Sequence, residues 1–101
     1  MGFFDFIFGA KKQQVDDYIK NGAVIIDVRS QREWDAGHIE KSVHIPLNEL
    51  KNRVDEVKKL NKPIIACCAS GVRSAKAAKF LTLKNVDAIN GGGWVSLQSK
   101  L

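Results

Sequence analysis

Two short apolar runs constrain this chain more than anything else in it. Ala23-Val24-Ile25-Ile26-Asp27-Val28 and Ile64-Ile65-Ala66-Cys67 are nearly unbroken hydrophobic segments with many β-branched residues. A strand with one face in water alternates apolar and polar residues, so runs without that alternation read as strands covered on both faces. Ser42-Val43-His44-Ile45, closed by Pro46, and Val86-Asp87-Ala88-Ile89 supply two more strands. Helical stretches lie between them. Lys12 to Asn21 carries Val15, Tyr18 and Ile19 at helical spacing, with Gly22 placed for a left-handed cap. Ser30-Gln31-Arg32-Glu33 is a capping box that opens a short helix ending near Gly37. A helix capped by Asn48 runs to about Leu60, with Leu50, Val54, Val57 and Leu60 on one side. Another spans Ser74 to Lys84, and a short one closes the chain from Trp94. Asn61-Lys62-Pro63 and Gly91-Gly92-Gly93 read as turns. Strands alternating with helices predict an α/β fold around a parallel sheet.

At 101 residues the chain is one domain's worth, enough to build a single core without staples. Its 45% hydrophobic and 27% charged residues exclude disorder, a collagen-like repeat and a coiled coil. The net charge is +5, yet no Lys/Arg run exceeds two residues, which argues against a nucleic-acid partner. A mild positive field favours small anionic substrates or acidic partners. No apolar stretch reaches the roughly 18 residues of a membrane helix, so no membrane partner is expected. Residues 1–11 read as an N-terminal extension and 12–101 as the domain. The extension is apolar but carries Asp5 and lacks a basic n-region, so it is a poor signal peptide. Gly2 suits myristoylation, but Phe6 stands where Ser or Thr is wanted. Its phenylalanines are expected to pack on the domain. The only two cysteines, Cys67 and Cys68, are adjacent, which disfavours a disulfide between them. A reducing, cytoplasmic setting follows, with a thiol free for chemistry.

Ligands of such sheets bind beyond the carboxyl ends of the strands, which points to Cys68-Ala69-Ser70-Gly71-Val72-Arg73-Ser74. A thiol at the end of a buried strand is followed by small residues turning into a helix. Backbone N–H groups in such a turn converge as an anion nest, and the helix N-terminus adds its dipole. Arg73 adds a permanent charge, expected to serve the thiolate rather than pair with a remote carboxylate. Comparable sites lower a cysteine pKa from about 8.5 to about 3.5–7.5. The loop therefore suits nucleophilic attack on an anionic substrate.

At this point the chain resembles the single-domain rhodaneses, thiosulfate:cyanide sulfurtransferases and related persulfide carriers. Asp27-Val28-Arg29, Glu33-Trp34-Asp35-Ala36-Gly37-His38-Ile39 and Val43-His44-Ile45-Pro46 are similar to that family's first signature. Cys68 to Ser74 is similar to its active-site loop, and Gly91-Gly92-Gly93-Trp94 to its closing segment with changed spacing. The resemblance covers about residues 12–98. It implies a five-stranded parallel sheet flanked by helices on both faces. It also implies Cys68 as the sulfur-carrying nucleophile, a substrate cradle from Ala69 to Ser74, and no metal or organic cofactor. Donors would be small sulfur anions; acceptors would be cyanide, a thiol or a protein. Many relatives place Arg or Lys immediately after the cysteine, where this chain has Ala69.

Other readings compete. Counted from Cys67, the spacing to Arg73 resembles that of protein tyrosine phosphatases, so a phosphatase-like or arsenate-reductase-like enzyme is one rival. A rhodanese-like module that only binds partners is another. Cys67 reads as a buried small hydrophobe, Asp27, Arg29 and Glu33 as a structural network rather than catalytic groups, His38 as a brace, and Trp94 as a core or lid aromatic. Two histidines without ligand spacing do not suggest a metal. Lys51, Lys58, Lys59 and Lys62 read as a solvated face.

Overall fold

The computed structural model describes residues 13–101; the readings made for residues 1–12 lie outside them. Helix α1 covers 13–20. It is followed by β1 (Val24–Asp27), α2 (Gln31–Asp35), β2 (Val43–His44), α3 (Leu47–Leu50) and α4 (Val54–Leu60). Then come β3 (Ile64–Cys68), α5 (Val72–Leu83), β4 (Ala88–Gly93) and α6 (Trp94–Gln98). The strands form one parallel sheet in the order β2-β1-β3-β4.

The two apolar runs are the centre of that sheet, and both faces are covered as their pattern requires. Ile64, Ala66 and Cys68 share one core with Ile26, Leu50 of α3, Val57 of α4, and Ala77 and Leu81 of α5. Ile65 and Cys67, one step out of phase, join Ile89, Val15 of α1 and Leu97 of α6 on the other face. The sheet has four strands among the described residues, not the five that the resemblance implies. These are the four that the residue pattern marks, and the described chain ahead of β1 is helical.

Three further boundaries differ from expectation, each for a local reason. The helix expected from Asn48 to Leu60 is two helices, and Pro46 rather than Asn48 precedes the first. Asn52 and Arg53 donate N–H bonds back to Glu49 and Leu50, a tight turn that ends α3. The Arg53 guanidinium spans the break to Glu49 at 3.1 Å and Glu56 at 3.0 Å. Helix α5 begins at Val72, because Gly71 takes φ +100° and turns the chain into the helix there. Gly91-Gly92-Gly93 is the end of β4 rather than a turn. A bulge pairs Ala66 with Asn90 but Cys67 with Gly92 and Cys68 with Gly93. A Cβ on Gly91 would lie 2.5 Å from Ile65 Cγ2, and one on Gly93 2.8 Å from the Ala69 carbonyl oxygen. The glycines let β4 approach the loop that follows β3.

Polar groups at the carboxyl end of the sheet are braced. The Asp27 and Arg29 side chains are buried and paired at 2.7 Å. Arg29 also donates to the Glu33 and Gly37 carbonyls at 3.2 and 2.7 Å and lies 4.6 Å from the Trp94 ring centre. His38 donates through Nδ1 to the Trp34 carbonyl at 2.8 Å and stacks on the Trp34 ring. These are the structural roles that their residue types suggested. Among the described residues no helix is long and apolar enough to cross a membrane.

Candidate active site

Cys68 ends β3 one residue beyond the expected strand end and is only 1% exposed. The chain then turns through exposed Ala69 and Ser70 to Gly71 and α5. That turn folds back over the sulfur. The Gly71 N–H donates to Cys68 Sγ at 3.0 Å and the Ser74 N–H at 3.4 Å. The Ser74 hydroxyl lies 3.3 Å from the same sulfur. Burial pushes the thiol's pKa up, but hydrogen bonds from the Ser74 hydroxyl and from the Ser74, Gly71 and Ser70 N–H groups outweigh it. The net shift is below the ordinary 9.0. The turn from Cys68 to Ser74 thus wraps the sulfur in hydrogen-bond donors from Ser70, Gly71 and Ser74.

The cradle's members are not alike. Gly71 and Ser74 reach the sulfur, whereas Val72 is 63% exposed and projects outward. Ala69 contributes its backbone, its carbonyl lying against Gly93. Arg73 departs from expectation. Its guanidinium makes two parallel bonds to the Glu33 carboxylate, at 2.7 and 2.9 Å. It therefore ties α5 to α2 instead of offering a free charge to the loop. The hydrogen bonds from Arg73, with those from Ser30, hold Glu33 down to about 2 from 4.5. In the sequence Glu33 reads as the capping partner of Ser30, a role it also fills, and as a structural rather than a catalytic group; its pairing with Arg73 was not legible.

Asn90 carried no signal in the sequence beyond standing before three glycines. Its side chain bridges the cradle: Nδ2 donates to the Gly71 carbonyl at 3.0 Å, and Oδ1 lies 2.7 Å from the Ser74 hydroxyl. An open groove beside the loop is lined by Val28, Ser30, Pro46, Leu47, Asn48 and Arg73. The larger surface groove lies at the opposite end of β3 and β4, between Lys58, Lys62 and Asp87, so size does not mark the site here.

Cys67 points into the other core and is fully buried. Burial pushes its thiol up to about 12. A phosphatase-type loop counted from Cys67 would thus have a neutral, enclosed thiol on the wrong face of the sheet.

This thiol cradle at the carboxyl end of a parallel sheet agrees with the comparison to known families, in which the rhodanese-like domain matches residues 11–100. The chain belongs to the rhodanese family. Among curated relatives of this rhodanese-like domain, the uncharacterized protein YqhL of Bacillus subtilis is 42% identical over 58% of this chain and 46% of its own length. Thiosulfate sulfurtransferase GlpE of Pseudomonas syringae is 30% identical over 79% of this chain and 77% of its own. Other relatives are tRNA uridine(34) hydroxylases, of which this chain spans 28% or less. Several of these relatives are therefore more than twice as long as the matched region. The crystal structure of reduced Bacillus anthracis CoADR-RHD superposes with a TM-score of 0.71 at 35% identity, covering 87% of this chain and 16% of that one.

Proposed function

We propose that the chain is a sulfurtransferase that carries a sulfane sulfur on Cys68, from a donor such as thiosulfate to cyanide, a thiol or a protein acceptor. The observation that carries this reading is the convergence of the Gly71 and Ser74 donors on Cys68 Sγ at 3.0–3.4 Å. Those donors favour thiolate and remain in place for a persulfide. In the first half-reaction the thiolate's electron pair forms a bond to the donor's sulfane sulfur. The donor's S–S bond breaks, and with thiosulfate the pair leaves on sulfite. The outer sulfur then rests as an anion among the loop's N–H groups, Ala69 to Ser74 forming the walls. In the second half-reaction an acceptor nucleophile attacks that outer sulfur, and Cys68 leaves as thiolate. The fixed N–H groups are already oriented when charge returns to Sγ, which is how a preorganised site stabilises it.

No group outside the loop is required by these steps. Ala69 brings no charge to the mouth and Arg73 directs its own at Glu33, so the cradle, rather than a long-range field, recognises the donor. Two thiols unpaired in the fold suit a reducing, cytoplasmic setting. The test is the intact mass of the protein after exposure to thiosulfate and removal of excess donor. One added sulfur, mapped to the peptide bearing Cys68 and lost on adding cyanide, is the expected result. Sulfur that adds equally to Cys68→Ser protein would overturn the assignment.

A further inference from the structure

Ser74 has one hydroxyl proton and two acceptors for it. Its oxygen lies 2.7 Å from Asn90 Oδ1 and 3.3 Å from Cys68 Sγ, and the residue is fully buried. The sheet register explains why Asn90 is there. In a parallel pair, partners project to the same face, and Asn90 is paired with Ala66, which shares its core with Cys68. The bulge after Asn90 then swings the Gly92 N–H onto Asn90 Oδ1 at 2.9 Å. The amide can face only one way. Nδ2 donates to the Gly71 carbonyl at 3.0 Å, so Oδ1, an acceptor alone, faces Ser74.

We propose that Asn90 is a positioning residue for Cys68, holding the Ser74 proton while the sulfur is uncharged and releasing it when charge develops on Sγ. This deepens the sulfur-transfer reading and rests on it for its catalytic meaning. Beside a neutral thiol or the inner sulfur of a persulfide, the Ser74 hydroxyl donates to Asn90. Beside a thiolate it turns, exchanging a neutral hydrogen bond for a charge-assisted one. The turn leaves Asn90 Oδ1 paired, because it keeps the Gly92 N–H and Asn90 is itself exposed. When an acceptor takes the outer sulfur, the S–S bond breaks, its electron pair goes to Sγ, and the Ser74 proton follows.

The other charged and titratable groups close to Cys68 are accounted for. Arg73 of α5 is paired with Glu33 of α2, Asp27 of β1 with Arg29, and the Cys67 thiol faces the opposite core. None of them contacts the Ser74 hydroxyl.

The test follows the rate of Cys68 alkylation by iodoacetamide against pH, read on its own peptide by mass. It needs no sulfur donor. Asn90→Asp keeps the side-chain shape but competes harder for the Ser74 proton, and is expected to raise the midpoint by about one unit, a roughly tenfold loss of thiolate below it. In a Ser74→Ala background the same change is expected to shift it by half as much or less. Equal shifts in both backgrounds would mean that the carboxylate acts by charge alone, and would overturn the proposal. Asn90→Ala, which needs no second substitution, frees the Ser74 proton for the sulfur and is expected to lower the midpoint. An unchanged or raised midpoint there assigns Asn90 to the fold and overturns the proposal too. Should these shifts appear in a protein that takes no sulfur from thiosulfate, the sulfur-transfer reading fails while the role of Asn90 stands.

Discussion

A buried thiol is ordinarily held neutral, since the apolar interior disfavours its charged form. Cys67 obeys that rule, and Cys68, its neighbour, escapes it only because four donors surround its sulfur. The contrast gives a direct prediction. Iodoacetamide is expected to modify Cys68 with a midpoint below the ordinary thiol value of 9.0, and to leave Cys67 unmodified until the protein unfolds. Equal labelling of the two peptides in native protein would contradict it. Cys68→Ser is expected to abolish persulfide formation, and Cys67→Ser to preserve it. At the mouth, Ala69→Arg is expected to raise kcat/KM for thiosulfate severalfold at low ionic strength, by steering a dianion to an uncharged rim, and the gain shrinks as salt screens it. An unchanged kcat/KM at low salt would show that capture is not limiting. Part of this was legible in the residues: Cys67 reads as a buried small hydrophobe, and the small residues after Cys68 announce a tight turn; that Cys68 is itself the last strand residue, facing the opposite core, was not. Nor was it legible where a long side chain ends. Arg73 has an obvious partner in its own loop, yet it pairs with Glu33, forty positions away in sequence.

That pair belongs to the next scale, because it joins elements. Helix α5 supplies the Ser74 donors, α2 supplies Glu33, and the Glu33–Arg73 bonds fix one against the other. Glu33 is depressed from 4.5 to about 2 in the fold. A carboxylate depressed by folding adds stability above its unfolded value and loses it as pH falls through the folded one. The contribution is thus present above about pH 4.5 and disappears toward pH 2. Arg73→Leu is expected to flatten the loss of stability across that window, measured by urea unfolding at several pH values. An acid limb as steep as the parent's would show that the pair contributes nothing there. The effect is modest, since both side chains are about one-third exposed and solvent screens such pairs. Strand β4 acts on the same loop from the other side. Gly93→Ala places a methyl 2.8 Å from the Ala69 carbonyl, and the backbone must shift. Its alkylation rate at Cys68 is expected to change more than its stability, and an unchanged rate would mean that the loop does not feel β4. Both arrangements escaped the sequence for one reason. Three glycines in a row are the usual mark of a turn, and only the close approach of two backbones, a tertiary fact, makes them strand. Likewise α5 was read from its apolar spacing, which starts at Ser74, while its first turn is set by the backbone of Gly71.

At the scale of the molecule, a single sheet separates two cores and its carboxyl edge holds Cys68 and its hydrogen-bond donors. The α/β class and all four strands were readable because alternation, or its absence, is a local pattern; a strand count drawn from likeness to relatives was not secured by any residue run in 13–101. The same pattern bears on cooperativity. Ile64 and Ile65 are adjacent on β3 and fully buried in opposite cores, so neither face can lose its packing without exposing the strand that the other depends on. Trp94 packs against one core and Cys68 lies in the other. With Trp34 replaced by Phe, tryptophan fluorescence reports the Trp94 face and Cys68 alkylation the other, and their urea transitions are expected to coincide, as for a two-state domain. Leu81→Ala and Leu97→Ala, one from each core, are each expected to cost about 2–5 kcal/mol and to move both probes together. A variant whose fluorescence transition shifts while the alkylation transition stays would show that α6 and its core unfold independently. The cradle would then draw its stability from α5 and the sheet alone.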